Sequence, residues 1–360
     1  MKKDKKKNII IAASGTGGHI YSGIALAREF QNKGCIHIFF INNNSASLEI
    51  LNNSGFQYIA FNMVGMPRKF SFSFVIFLAK LKISFLKALK YIFYINPLAV
   101  IGTGGYLTVP VLFAAKILGK KIFIHEQNTV PGKANMLLSK IADEIFVSFN
   151  FSTKYFKNKN FIISGYPVRE DIFSASKNDA LKIFSLNNNI FTILVFGGSL
   201  GATKLNEVTC KAFLRFVSSS GMQVIHITGA KDFARMQKIV GVRANYRIFN
   251  YMHNIAYAYA ACDIVISRSG AGTVFELKAL GKYAVLIPYP YATGNHQYWN
   301  AKEIEKKGKV KVIEEKYFTE KKLLEVVEVL KLNAKKDAVK NIVKLSQKII
   351  YEEITKCVKF

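Results

Sequence analysis

The chain is poor in cysteine and in acid. Four cysteines (Cys35, Cys210, Cys262, Cys357) are scattered over 360 residues without a Cys-x-x-Cys pair. That excludes a disulfide framework or a zinc site of paired cysteines and fits the reduced thiols of a cytosolic protein. Acidic residues number 23 against 51 Lys and Arg, a formal net charge of +28. A surplus of this size draws anions: nucleic acid, an acidic lipid surface or phosphorylated substrates. Lysines on ordinary solvated faces produce the same excess, so charge alone assigns no function. Uninterrupted apolar runs of transmembrane length are missing as well. The opening MKKDKKKNIIIAASG imitates a signal peptide, but its apolar run is too short and leads into Gly-Thr-Gly-Gly-His, not into a cleavage site. Half of the residues are hydrophobic and 29 are Phe, which excludes general disorder and leaves enough chain for two full cores.

Two nucleotide fingerprints are also missing. Gly15, Gly17 and Gly18 do not form Gly-x-Gly-x-x-Gly, and Asn42, Asn43 and Asn44 stand where an acidic residue would end the second strand. The Lys-Ser/Thr of a P-loop is absent too.

What is present is a repeated strand–turn–helix pattern. An apolar run over 8–13, of the kind buried on both faces of a parallel sheet, leads into Gly15-Thr16-Gly17-Gly18-His19 and a helix that stops near Gly34. A strand over 36–41 follows. The same Gly-Thr-Gly-Gly recurs at 102–105 between a strand (98–101) and a helix (109–118). A third turn, 197–201, follows the strand 190–196. Such turns point backbone N–H groups and the positive end of a helix at one spot, which suits phosphate. They also let strand and helix pack closely without any ligand. Turns after parallel strands gather at the carboxyl edge of a sheet, where ligands bind in this fold class.

Residues 70–94 read as one long helix. Phe74, Phe77, Leu78, Leu81, Phe85, Leu89 and Ile92 form an apolar face expected to pack on the sheet. Lys80, Lys82, Lys87 and Lys90, with Ile76 and Ile83 among them, make the remaining surface, which reads equally as the solvated side of an ordinary amphipathic helix or as a face for an anionic membrane. The strand 121–124 ends in His125-Glu126-Gln127-Asn128, four polar groups crowded at a strand end. They read as a site or as a buried turn network. The Gly165–Arg169 segment breaks the pattern and marks a domain boundary, so the domains are expected over 1–164 and 165–341. A last helix, about 342–360, is expected to return to the first. In the second half, the stretch 266–301 reads as a strand ending at Ser267, a small-residue turn, and a helix opening at Thr273 with Glu276 one turn inside. A further strand follows, then a helix beginning at Asn295-His296-Gln297. This is a nucleotide site with one carboxylate.

The combination of Gly-Thr-Gly-Gly-His at 15–19, Gly-Gly-Tyr-Leu-Thr-Val-Pro at 104–110, His-Glu-Gln-Asn at 125–128, Pro-Val-Arg at 167–169, Gly-Gly-Ser-Leu-Gly-Ala at 197–202, Arg-Ser-Gly-Ala-Gly-Thr at 268–273 and Asn-His-Gln-Tyr-Trp-Asn-Ala at 295–301 resembles the MurG family over the whole chain. These are N-acetylglucosaminyltransferases that convert lipid I to lipid II in bacterial peptidoglycan synthesis. The resemblance implies an α/β protein of two Rossmann-like, doubly wound domains, the GT-B fold, with an interdomain cleft. It implies an inverting, metal-independent transfer with no cofactor, from UDP-N-acetylglucosamine to undecaprenyl-diphospho-N-acetylmuramoyl-pentapeptide. The expected place is the cytoplasmic face of the membrane, peripherally bound.

Residue by residue, the resemblance gives Glu276 the ribose hydroxyls. It gives Ser199, Ala271, Gly272, Thr273, Val274 and Phe275 the nucleotide and its phosphates, and Met252 the uracil. Gln297 and Asn128 receive the N-acetylglucosamine hydroxyls. Arg169, Thr16, Gly17 and Gly18 line the donor side, and Gly15, Gly104, Gly105 and Tyr106 the acceptor diphosphate. His19 is the first choice of general base and Glu126 its competitor. Helix amides at 272–274 could stabilise a leaving diphosphate, and the sequence has no Asp-x-Asp pair to hold a divalent ion. Ser22 stands where the family has Pro, and Tyr166 where it has Asn before Pro-Val-Arg. Two other readings compete. One is a GT-B enzyme with a different lipid acceptor, such as diacylglycerol. The other is a basic nucleic-acid-binding Rossmann protein, disfavoured because the aromatics sit in apolar segments and no RNA-recognition signature occurs.

Overall fold

The structure is a computed structural model that describes residues 8–15, 17–67, 72–156, 160–198, 201–216, 221–306, 308–334 and 346–358. The chain divides into two units, Met1–Arg169 with Lys344–Phe360, and Glu170–Val343. The division falls after the Gly165–Arg169 segment, not at its start.

In the first unit β1 (Asn8–Ala13), α1 (Gly17–Asn32), β2 (Ile36–Asn42), α2 (Ser45–Ser54), β3 (Tyr58–Phe61) and α3 (Phe72–Ile95) come in order. They are followed by β4 (Ala99–Gly102), α4 (Thr108–Ile117), β5 (Lys121–Glu126), α5 (Lys133–Leu138), β6 (Glu144–Val147) and β7 (Phe161–Ile163). All pairings are parallel and the sheet order is β3-β2-β1-β4-β5-β6-β7. Ile9, Ile10 and Ile11 are fully buried, as strands covered on both faces require. The order reverses between β1 and β4, and in this fold class ligands bind at the carboxyl ends of strands beside such a reversal.

The pair α2–β3 was not foreseen. Asn44 caps α2 by accepting from the Ser47 N–H, and Gly55 ends it in the left-handed region at φ 71°. The strand that follows is short and mostly half-buried, so it lacks the apolar run by which its neighbours are recognised.

Helix α3 is the long helix expected, and its apolar face packs inward as expected except at Leu78: Phe74, Leu81, Phe85 and Leu89 are half-buried against the core. Phe77, Ser84, Ala88 and Ile92 are the buried residues, while Leu78 is 46% exposed. Small Ser84 and Ala88 let the helix approach α4. Phe72, Val75, Ile76, Ile83, Leu86 and Phe93 remain exposed on the outer side. Among the described residues no helix is long and apolar enough to cross a membrane.

The second unit runs α6 (Lys177–Ile183), β8 (Phe191–Phe196), α7 (Thr203–Phe216), β9 (Met222–Ile227), α8 (Ala230–Val240), β10 (Tyr246–Phe249), α9 (Ile255–Ala261) and β11 (Ile264–Ser267). It continues with α10 (Ala271–Leu280), β12 (Tyr283–Leu286), α11 (His296–Glu305), β13 (Val310–Val312) and α12 (Glu320–Ala334). Its sheet order is β10-β9-β8-β11-β12-β13, again wholly parallel, with the reversal between β8 and β11. The final helix, α13 (Ser346–Cys357), packs on α1 in the first unit: Ile350 and Ile354 are fully buried and Tyr351 meets the Phe30 ring at 5.1 Å.

Candidate active site

In the first unit the loops after β1 and β4 lie side by side, because Ala12 is in register with Gly102. The Ser14 N–H donates to the Gly104 carbonyl at 3.1 Å and the Ser14 hydroxyl accepts from the Leu107 N–H at 3.2 Å. Such closeness needs glycine. A Cβ on Gly105 (φ 90°) would overlap the Ser14 carbonyl, and one on Gly104 (φ 112°) would lie 2.7 Å from the His19 ring. His19 therefore sits against Gly104, and its ring Cδ2 is 3.5 Å from where a Gly15 Cβ would stand. Its carbonyl accepts from the hydroxyls of Thr103 (2.8 Å) and Ser22 (3.0 Å). Ser22, in the place of the family's Pro, is fully buried and has this role. Tyr106 lines the same loop and meets Phe77 of α3 edge-on at 6.3 Å.

The four residues at the end of β5 form one network. His19 Nδ1 is 2.9 Å from Gln127 Oε1. Gln127 Nε2 donates to the Thr103 carbonyl and lies 3.2 Å from His125 Nδ1. His125 Nε2 donates to the Gly165 carbonyl at 3.0 Å. Burial holds the His125 pKa down at about 4, with the Gly165 bond opposing and the nearby His19 adding to the effect. Glu126 is 1% exposed. Its Oε1 accepts from the Asn128 N–H (2.9 Å) and side-chain amide (3.4 Å), its Oε2 from the Gly132 N–H (3.1 Å) and Asn135 (2.8 Å). Burial pushes this carboxyl up while the four donors pull it back. Glu126 thus shapes the 126–135 turn and sets Asn128.

Two residues near the end of the unit reach back to α1. The Tyr166 hydroxyl donates to the Gly18 carbonyl at 2.8 Å, so the residue replacing Asn there is a tie to the first loop. The Arg169 guanidinium lies 4.3 Å over the Tyr21 ring.

In the second unit the parallel pairing of β11 with β12 sets the turn before α10 and the start of α11 at the same edge of the sheet. The expected helix start at Thr273 is corrected to Ala271. Gly270, at φ −60° and ψ 149°, is the N-cap, and its carbonyl accepts from the Val274 N–H at 3.0 Å. The Val274 amide is therefore spent inside the helix and its side chain is fully buried. Phe275 is buried too. The outward-facing first-turn amides are those of Ala271, Gly272 and Thr273, at an end with no acidic residue and no side-chain cap. Glu276 is held from the neighbouring helix: the hydroxyl of fully buried Tyr259 donates to its Oε2 at 2.8 Å.

Gln297 is bound to the same turn. The Ser269 hydroxyl donates to its carbonyl (2.8 Å), and its side-chain Oε1 accepts from the Tyr289 N–H (3.0 Å). Asn300, fully buried, donates to the Ser269 carbonyl at 3.3 Å. Met252 lies in the loop between β10 and α9. Thr16 and Ser199 lie outside the described residues. Sequence reading did not anticipate Tyr259 and Asn135: the first comes from another helix, and the second is a donor nine residues past the carboxylate it serves.

Two Rossmann-like units, each with glycine turns at its sheet reversal and one with a carboxylate inside the following helix, define a glycosyltransferase of the GT-B class. Residues 9–147 match the glycosyltransferase family 28 N-terminal domain and residues 192–352 the family 28 C-terminal domain. The chain is 37% identical to the UDP-N-acetylglucosamine–N-acetylmuramyl-(pentapeptide) pyrophosphoryl-undecaprenol N-acetylglucosamine transferase of Desulforamulus reducens, covering 97% of each chain. It is 36% identical to the enzyme of the same name from Halothermothrix orenii, covering 89% of this chain and 90% of that one. The crystal structure of Acinetobacter baumannii MurG is similar at a TM-score of 0.71 and 26% identity, over 97% of this chain and 99% of that one. The chain belongs to glycosyltransferase family 28 and, within it, to the MurG family.

Proposed function

We propose that this protein transfers N-acetylglucosamine from UDP-N-acetylglucosamine to lipid I, giving lipid II and UDP, with inversion and without a metal ion. The observation that carries the reading is likeness over nearly the whole length to enzymes named for this transfer. The chemistry of the two units supports it. Glu276 accepts from the ribose hydroxyls with its plane held by Tyr259. The amides of Ala271, Gly272 and Thr273 face the diphosphate and stabilise the charge that grows on it as the sugar departs. The amide of Gln297, with its oxygen engaged by Tyr289, gives its NH2 group to the sugar, and Asn128 serves the same sugar.

In the reaction, His19 Nε2 takes the proton of the acceptor hydroxyl, whose oxygen bonds to C1 of N-acetylglucosamine. The bond from C1 to the β-phosphate oxygen breaks and its electron pair leaves with UDP. His19 is preferred to Glu126 because both Glu126 oxygens are already occupied by four N–H donors. The Gly15, Gly104 and Gly105 backbone, with Tyr106, receives the acceptor diphosphate.

The acceptor is a membrane lipid, and α3 supports docking at an anionic cytoplasmic surface. Phe72, Val75, Ile76, Ile83, Leu86 and Phe93 recur at helical spacing on its exposed side, with Lys82 and Lys90 exposed among them. Radiolabelled UDP-N-acetylglucosamine with lipid I or diacylglycerol in mixed micelles tests the assignment. Label should pass to lipid I as a β-linked sugar. Transfer to diacylglycerol and not to lipid I would overturn it.

A further inference from the structure

We propose that Gln127 is a positioning residue that holds His19 in the tautomer with the proton on Nδ1 and the lone pair on Nε2. The inference deepens the reading of His19 as base and rests on it for its kinetic part.

Gln127 is 2% exposed and its amide has one satisfactory orientation. Nε2 donates to the Thr103 carbonyl, which can only accept. Its second hydrogen lies toward His125 Nδ1 at 3.2 Å and the Ser22 hydroxyl at 3.4 Å. A flipped amide would set its oxygen against the Thr103 oxygen, acceptor to acceptor, in a buried place. Oε1 is thus the atom 2.9 Å from His19 Nδ1. An amide oxygen only accepts, so Nδ1 carries the hydrogen, and in a neutral imidazole Nε2 is then the basic atom.

The other end of the chain of bonds agrees. His125 donates through Nε2 to Gly165, so in its neutral form Nδ1 accepts from Gln127. Its lowered pKa keeps it neutral near pH 7. The ring of His19 is crowded by Gly104, where a Cβ would stand only 2.7 Å from its Cε1 and Nδ1.

The titratable and charged groups around His19 come from several elements. From β5 these are His125, behind Gln127, and Glu126, whose oxygens turn to Asn128, Gly132 and Asn135. Tyr166 is bound to the Gly18 carbonyl, and Arg169 is stacked on Tyr21. None of these supplies the Nδ1 acceptor that Gln127 does.

The variants Gln127→Met and Gln127→Glu test the proposal, in full-length protein labelled with 15N-histidine, with His19→Asn to assign the resonance. Wild type should show His19 with the proton on Nδ1. Gln127→Met should give mixed tautomers and lose roughly ten- to a hundredfold in kcat, with KM for UDP-N-acetylglucosamine little changed. Gln127→Glu should retain the tautomer and shift the acid limb of the pH–rate profile upward by about one unit, since an anion beside Nδ1 favours the imidazolium. A wild-type proton on Nε2, or a Gln127→Met enzyme with the native tautomer and a lower rate, would overturn the proposal. The base reading fails separately: an acid limb that persists in His19→Asn refutes it, whatever the nitrogen spectrum shows.

Discussion

The pair Glu276–Tyr259 gives the sharpest test of the donor site. Tyr259 is wholly buried on α9 and its hydroxyl reaches Glu276 Oε2 on α10 at 2.8 Å. If Glu276 accepts from the ribose, Glu276→Gln keeps the shape but removes the charge. A hydrogen bond to a charged group contributes about 1.5–3 kcal/mol, so the loss should be about 2 kcal/mol. That is roughly thirtyfold in the Kd for UDP at about 1.4 kcal/mol per tenfold. Tyr259→Phe touches no ligand. It removes one bond that orders the carboxylate, and ordering one side chain costs about 0.5–1.5 kcal/mol, a loss of roughly fivefold. Because the two act as a unit, the double variant should lose less than the sum. Titration calorimetry with UDP and 2′-deoxy-UDP reads all of this. Native protein should bind the deoxy nucleotide more weakly, and Glu276→Gln should narrow that difference. A Glu276→Gln protein that binds UDP as tightly as native would refute the ribose assignment, and additive losses would refute the coupling.

Three other perturbations follow from the geometry. Gly105→Ala places a Cβ onto the Ser14 carbonyl at φ 90°, and should cost more than about 3 kcal/mol. Scanning calorimetry should show the melting of the first unit displaced downward, and an unchanged melt would contradict the close approach of the two loops. Ile83→Glu with Leu86→Glu, at positions 64% and 53% exposed, should weaken sedimentation with phosphatidylglycerol vesicles at least tenfold and leave UDP affinity alone. Equal vesicle binding would remove α3 from the docking surface. Acid should destabilise the protein through its buried histidines. His125 and His226 fall from 6.5 to about 4 and about 3, chiefly by burial. Stability is therefore complete above pH 6.5 and is lost as pH falls towards those values, by about 3 and about 5 kcal/mol when each is fully protonated. Urea midpoints should drop between pH 7 and pH 4.5; a flat midpoint would contradict neutral burial of the two rings.

Much of the architecture could be read directly. Strands buried on both faces spell continuous apolar runs, and Gly105 marks a place where one backbone passes close to another. What escaped reading has physical reasons. Strand β3 is half-exposed and short, so its composition resembles a loop. The start of α10 is set by the backbone angles of Gly270 and not by a capping side chain, so no residue type announces it. Apolar residues on both sides of α3 blur its periodicity, so the spacing points Leu78 inward and gives no sign of the buried Ser84 and Ala88. The candidate polar residues were visible as motifs, but their partners were not. Tyr259 serves Glu276 from a separate helix, a relation that no local spacing encodes.

The return of α13 to the first unit has a bearing on how the chain is made. Topologically the second unit is an insertion within the first. A ribosome delivers β1 to β7 long before α13, so Phe30 and its neighbours on α1 wait without Tyr351, Ile350 and Ile354 until the end of synthesis. The second unit, contiguous from Glu170 to Val343, has all its strands and helices earlier than the first has all of its own. Truncation before Ser346 would accordingly injure the N-terminal half of the molecule and spare the C-terminal one.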